Sequence, residues 1–136
     1  MNEKELCRLA ENQRAYAWAP YSHFTVGAAL LDEDGRVFLG CNVENASYGL
    51  SLCAERGAVS AAVAAGSRRF AAIAVAGGKE GEPCKITSPC GACRQVLAEW
   101  GNPNLKVYLV KENGWETFLL KDLLPQAFQL EKEKSL

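Results

Sequence analysis

The sequence is poor in histidine, in net charge and in long apolar runs, and each shortage removes a class of function. One histidine, His23, stands among 136 residues. No His-Cys or Ser-His relay can be assembled inside one chain except around it. It falls in Tyr21-Ser22-His23-Phe24, a turn ahead of a strand, and is given no role. Fifteen basic residues against sixteen acidic ones leave a net charge of -1. That is not the basic field a polynucleotide backbone requires, so a small uncharged substrate fits better than a nucleic acid. No apolar run approaches the ~20 residues needed to span a bilayer. The first eleven residues are charged where a signal peptide would be apolar. The expectation is a cytoplasmic chain with no membrane contact. No repeat, linker or low-complexity stretch appears, and the 49% hydrophobic and 23% charged content is that of an ordinary globular protein. Residues 1–136 read as one domain with its own core, ending in a loosely held charged tail from about residue 130.

What is present in quantity is cysteine. Six thiols in a short chain would mean three disulfides in a secreted protein, whereas a reducing cytosol leaves them free. Cys7, Cys41 and Cys84 read as small structural hydrophobes. Cys53, Cys90 and Cys93 fall at the openings of two helical stretches, in Cys53-Ala54-Glu55-Arg56 and Pro89-Cys90-Gly91-Ala92-Cys93-Arg94-Gln95. Cys90 and Cys93, three apart, share a face of a helix that Ser88 would cap and Pro89 would begin. With Cys53 they make three thiolates, which leave zinc a fourth position for water, as in catalytic rather than structural sites. Cys84, six residues before Cys90, offers a competing four-thiolate site; such sites come as two close pairs, and Cys53 has no close partner. Glu55 is two residues past Cys53, about 200° around a regular helix. Both face one metal only if Cys53 sits in the cap, outside helical geometry. Alone, Glu55 would read as a solvated helix-start carboxylate; two places after a metal ligand, it reads as the acid/base.

The remaining elements follow from pattern. Residues 3–18 carry apolar residues at helical spacing and stop at Ala19-Pro20. Residues 24–31 and 37–43 form an antiparallel hairpin through Asp32-Glu33-Asp34-Gly35. Residues 53–65 form an alanine-rich, closely packed helix stopped by Gly66. Residues 70–76 are apolar without alternation, hence a central strand buried on both faces, and 77–87 form a polar loop. A helix over 90–100 precedes strands at 105–111 and 115–120. The link between these strands is too short for anything but an antiparallel hairpin.

Phe24-Thr25-Val26-Gly27-Ala28-Ala29-Leu30, Gly40-Cys41-Asn42-Val43-Glu44-Asn45-Ala46, the two cysteine motifs and Leu123-Leu124-Pro125-Gln126-Ala127-Phe128 together resemble the small, homotetrameric, zinc-dependent cytidine deaminases over nearly the whole chain. The resemblance implies a three-layer α-β-α fold around a mixed five-stranded sheet, one zinc per subunit and a homotetramer with sites shared between subunits. It implies hydrolysis of free cytidine and deoxycytidine to the uridine counterparts and ammonia, in pyrimidine salvage. Zinc-activated water attacks C4, and Glu55 shuttles the proton. The antiparallel final strands accord with a free nucleoside, since the relatives that edit tRNA and polynucleotides have them parallel.

By the same resemblance Phe24 stacks on the pyrimidine, Asn42 and Glu44 bind the ribose 3′-hydroxyl, and the Ala54 N–H meets the base carbonyl. Ala46, Tyr48 and Phe128 reach a neighbouring subunit's site, and Arg56 donates to ligand sulfurs, offsetting the negative charge of three thiolates. Read from the residues alone, Phe24, Tyr48 and Phe128 are equally core or interface aromatics, and Arg56 a surface arginine. Two other readings stand beside this one: a same-fold deaminase of another aminopyrimidine nucleoside such as blasticidin S, and a zinc-stabilised binding protein without turnover.

Overall fold

A computed structural model describes residues 1–132 of the chain. Of the charged tail expected from residue 130, residues 133–136 lie outside the described residues. Helix α1, Glu3–Gln13, starts at Asn2, whose Oδ1 accepts the Glu5 N–H at 2.9 Å, and carries Glu3 and Glu5 in its first turn. Both features suit the positive end of a helix. It ends five residues sooner than its periodicity predicts. A short 3₁₀ turn, Arg14–Tyr16, follows, and the Trp18 N–H donates to the Asn42 carbonyl at 3.0 Å. Tertiary pairing thus overrides a pattern that local spacing alone would continue. The Arg14 guanidinium holds the new direction by donating to the carbonyls of Thr25, Lys79 and Glu82.

Strands β1 (Phe24–Asp32) and β2 (Val37–Cys41) form the expected antiparallel hairpin, with Gly35 at φ 88° in its turn. Helix α2 spans Ala54–Ala64; beyond it Gly66, at φ 90°, lets the Ser67 N–H turn back to the Ala62 carbonyl. Strand β3, Phe70–Lys79, runs three residues past expectation because Gly77, Gly78 and Lys79 stay in register opposite β1. Helix α3 (Gly91–Ala98) precedes β4 (Lys106–Lys111) and β5 (Gly114–Leu119), and a single turn, α4 (Leu120–Leu123), closes the regular structure.

The strands make one sheet in the order β2-β1-β3-β4-β5, parallel only between β3 and β4. The period of two along each strand sorts its side chains into two cores. Ala28, Leu30, Ile73, Val75, Val107 and Leu109 face α2 and α3, while Ala29, Ala72, Ala74, Ala76, Tyr108 and Val110 face α1. The layers are therefore α-β-α about a mixed five-stranded sheet, as expected. Cys84 belongs to the α1 side with Cys7, which removes it from any shared site with Cys90. One close approach fixes where α2 begins. A Cβ on Gly40 of β2 would collide with the carbonyl oxygen of Ala54 and the nitrogen of Ala58. Glycine at position 40 thus lets the first turn of α2 lie directly on the sheet.

Candidate metal centre and cavity

Cys53 is the N-cap of α2 and Cys90 the N-cap of α3, both with extended backbone (φ -74°, ψ 153° and φ -65°, ψ 170°). An N-cap side chain usually folds back onto its own helix, but neither thiol does. Each is released to point across the gap between the helices. Their sulfurs are 3.9 Å apart, and with Cys93, in the first turn of α3, all three lie within 4.8 Å of one another. A tetrahedral zinc with Zn–S bonds near 2.3 Å sets its sulfurs about 3.8 Å apart, so the three thiols fit that ion. No fourth His, Cys, Asp or Glu joins the cluster among the described residues, which leaves one coordination position for a small molecule.

The cap assignment corrects one expectation. Ser88 does not cap α3 and Pro89 is not its first residue: Cys90 is the cap, with buried Pro89 immediately before it. The reason is geometric: with extended backbone at position 90, that sulfur lies 3.9 Å from the sulfur of Cys53. Ser88 instead accepts a hydrogen bond from Arg94 Nη2 at 2.8 Å. The cap position of Cys53 is as expected, and it lets Glu55 and Cys53 border one cavity despite their spacing.

Glu55 is 4% exposed. Burial pushes its carboxyl above the usual carboxylate range, and the neighbouring Cys53 sulfur adds to the rise. That suits a group that must both take and give a proton near neutral pH. Among the thiols, a hydrogen bond from Cys93 pulls Cys53 down to about 5, helped by Arg56, while Cys93 is raised by the same bond and by its burial. A divalent cation ends this sharing by displacing the remaining protons. Arg56 Nη2 lies 3.7 Å from the Cys53 sulfur and 3.4 Å from the Ser51 carbonyl, so its positive charge borders the cluster. With the N-terminal ends of α2 and α3 it offsets part of the thiolate charge.

A cavity of about 280 Å³ opens over these groups, lined by Cys53, Ala54, Glu55, Cys90, Asn42 and Glu44 together with Val26, Ser51, Leu52, Thr87 and Ser88. Two larger cavities, about 570 and 580 Å³, are lined by residues that include neither the thiol cluster nor Glu55. Chemistry rather than size marks the smaller one. Ala54 is the first residue of α2, so its N–H is one that a helix leaves without an internal partner.

Asn42 and Glu44 both line the cavity, past the end of the strand expected to reach residue 43. β2 stops at Cys41, and Val43 bridges Trp18 on one side and Leu52 on the other, so the pair sits on a loop rather than on one strand. Asn42 accepts the Val26 N–H at 2.8 Å and donates to the Phe24 carbonyl at 2.9 Å. Glu44 accepts the N–H groups of Tyr21 and Ser22 and the Ser22 hydroxyl. The Ser22 hydroxyl leads the donors that hold its carboxyl below the usual range.

Phe24 is not among the lining residues. Val26, two places along the same face of β1, does line it, and the ammonium of Lys85 stands 5.4 Å over the Phe24 ring. Ala46, Tyr48 and Phe128 are exposed and also outside the lining, Tyr48 at 70% and Phe128 at 68%. Val26, Ser51, Leu52, Thr87 and Ser88 were not anticipated as lining. Only Val26, by its alternation with Phe24, carried a readable signal.

Comparison with known proteins agrees with this geometry. Residues 1–109 match the family described as the cytidine and deoxycytidylate deaminase zinc-binding region. The chain is 47% identical over 133 residues to the cytidine deaminase of Sporosarcina psychrophila, covering 96% of this chain and 94% of that one. It is 46% identical over 122 residues to the cytidine deaminase of Mycobacterium tuberculosis, covering 90% and 86%. Among solved structures, the cytidine deaminase of Burkholderia pseudomallei superposes with a TM-score of 0.86 at 52% identity, covering 94% of this chain and all of that one. The M. tuberculosis enzyme superposes at 0.80 with 43% identity, covering 96% and 99%. With three thiols converging on one point, a buried carboxyl beside them and this breadth of likeness, the chain belongs to the zinc-dependent cytidine and deoxycytidylate deaminase family of hydrolytic enzymes.

Proposed function

We propose that the protein hydrolyses free cytidine and 2′-deoxycytidine to uridine and 2′-deoxyuridine with release of ammonia, as a single catalytic domain serving pyrimidine salvage in the cytoplasm. The observation that carries the proposal is the buried Glu55 carboxyl lining one cavity with Cys53 and Cys90 of the three-thiol cluster. The relatives of similar length are named for cytidine, which favours that base over another aminopyrimidine.

Zinc held by Cys53, Cys90 and Cys93 supplies Lewis acidity and makes water acidic enough to act as a nucleophile near neutral pH. Glu55 takes the proton of the attacking water as the new C–O bond forms at C4, and gives it to ring N3. It then helps deliver a proton to the exocyclic nitrogen, so that ammonia leaves as the carbonyl forms. The Ala54 N–H donates to the base carbonyl. Asn42 and Glu44 bind the ribose 3′-hydroxyl with the capacity their internal bonds leave: one amide hydrogen on Asn42, and lone pairs on Glu44. Phe24 stacks on the base once Lys85 swings away from its ring.

The exposure of Ala46, Tyr48 and Phe128 supports a homotetramer in which these side chains complete a neighbouring subunit's site. Large exposed apolar side chains at Trp18, Leu50 and Leu52 accord with such a contact face.

The test is the loss of cytidine absorbance on adding zinc-loaded protein, run with Glu55→Gln. Turnover in the unaltered protein, lost in Glu55→Gln with zinc still bound, supports the reading. Full turnover in the variant removes the proton role of Glu55, and absence of turnover on every cytosine nucleoside removes the substrate. Sedimentation gives the assembly mass, and a monomer would overturn the shared site.

A further inference from the structure

Releasing the Cys90 sulfur from its own helix leaves the start of α3 without the side-chain acceptor that a serine or aspartate cap brings. The segment that presents Cys90 is held by something else. Arg94, one residue past the ligand Cys93, turns back over it: Nε donates to the Pro89 carbonyl at 2.8 Å and Nη2 to the Ser88 hydroxyl at 2.8 Å. The remaining arm, Nη1, crosses to the Leu123 carbonyl at the end of α4, 2.6 Å away. All three nitrogens of a planar, rigid fork are thus committed to holding other segments. The next residue continues the tie, because Gln95 Nε2 donates to the Phe128 carbonyl at 2.8 Å.

Apart from Lys132, which donates to the Glu99 carbonyl and pairs with its carboxylate farther along, the segment tied in this way has little else to set its register. Residues 124–132 contain no helix or strand, and Gln126 takes a left-handed φ of 55°. Leu123, Leu124 and Ala127 are only partly buried against the core. Apolar contact of that kind sets depth without direction, whereas hydrogen bonds to two named carbonyls fix the chain along its length.

We propose that Arg94 is a positioning residue coupling zinc retention at Cys90 and Cys93 to the placement of the C-terminal segment 123–128. It belongs to neither the thiol cluster nor the cavity lining; it acts through the Pro89 carbonyl and the Leu123 carbonyl. Coupling free energy is reciprocal, so zinc steadies residues 123–128 and the anchored segment slows the loss of zinc. The inference rests on the three-cysteine zinc site and is independent of which nucleoside is turned over.

The experiment follows zinc release from the full holoenzyme into excess chelator, with amide hydrogen exchange of residues 120–128, in the unaltered protein, Arg94→Ala and Arg94→Lys. Expected are release about 10-fold faster or more in Arg94→Ala, a smaller rise in Arg94→Lys, and faster exchange of 120–128 in both. Zinc removal from the unaltered protein should likewise speed exchange there. Guanidinium ion at a non-denaturing concentration should slow release from Arg94→Ala towards the original rate, which a general loss of stability would not allow. If Arg94→Ala fails to fold, Arg94→Lys carries the test. Unchanged release in the folded variants overturns the inference, as does faster release with unchanged exchange of 120–128. Failure of the unaltered chain to bind zinc would remove the metal site itself, a result distinct from either.

Discussion

The two ends of the cavity are built on different principles. At the metal end the cysteines, Glu55 and Arg56 come from the cap or the first turn of a helix: Cys53, Ala54, Glu55 and Arg56 from α2, Cys90 and Cys93 from α3. Their directions follow from capping geometry, and Ala54, Glu55 and Cys93 are buried. At the opposite end Asn42 and Glu44 stand on a loop, half-buried, with their polar atoms bound to main chain near residues 21–26. One end holds its geometry through rigid elements; the other depends on a turn about twenty residues away in sequence. Under the proposed function, the chemistry that needs tight placement sits on the first kind of support, and nucleoside recognition on the second.

Substitutions at each end test that contrast. Cys93→Ala should abolish both zinc binding and turnover, measured as metal per chain and cytidine consumption; retained zinc would mean that the buried thiol is not a ligand. Glu55→Gln should keep the metal and lower kcat by about 10²–10⁴, since a buried amide cannot move the proton. Arg56→Gln should fold, and lose about 10- to 100-fold in activity or zinc affinity; wild-type values for both would leave the thiolate charge offset by the helix ends alone. Asn42→Ala should raise KM more than it lowers kcat. An equal fall in kcat would mean that the loop also aligns the reacting end.

The smallest effect on turnover is expected at Asp32, at the far end of β1 from the cavity. Burial by itself would raise this carboxyl, but donors from Ser67, Arg36 and Asp34 outweigh it and hold it below the usual carboxylate range. A depressed folded-state pKa contributes stability above the unfolded value near 3.9 and loses it as pH falls through the folded value. Asp32→Asn should therefore cost about 1–3 kcal/mol at neutral pH, by denaturant unfolding, with the gap to the unaltered protein closing below about pH 4. A gap independent of pH would assign the loss to packing.

Residue spacing made the metal end legible. A Cys-x-Glu and a Cys-x-x-Cys, each at a helix opening, limit how the groups can converge, and the cap position of Cys53 followed from the angle between residues 53 and 55. Spacing failed wherever a partner distant in sequence decided the backbone. α1 gives way at Gln13 because Trp18 pairs with Asn42, β2 gives way at Cys41 because Val43 pairs with Trp18 and Leu52, and β3 continues through two glycines because β1 lies opposite. The replacement of Ser88 by Cys90 as the α3 cap has the same origin, a sulfur drawn to a helix elsewhere in the chain.

The sequence by itself determined the sheet's two faces, the start of α2 and the donor set, because periodicity, capping and ligand chemistry act over a few residues. Tertiary structure alone decided that Val26 lines the cavity, that Asn42 and Glu44 are held by residues 21–26, and that Cys84 lies on the α1 side of the sheet. Those outcomes depend on which segments meet, and a local pattern carries no record of its distant partner.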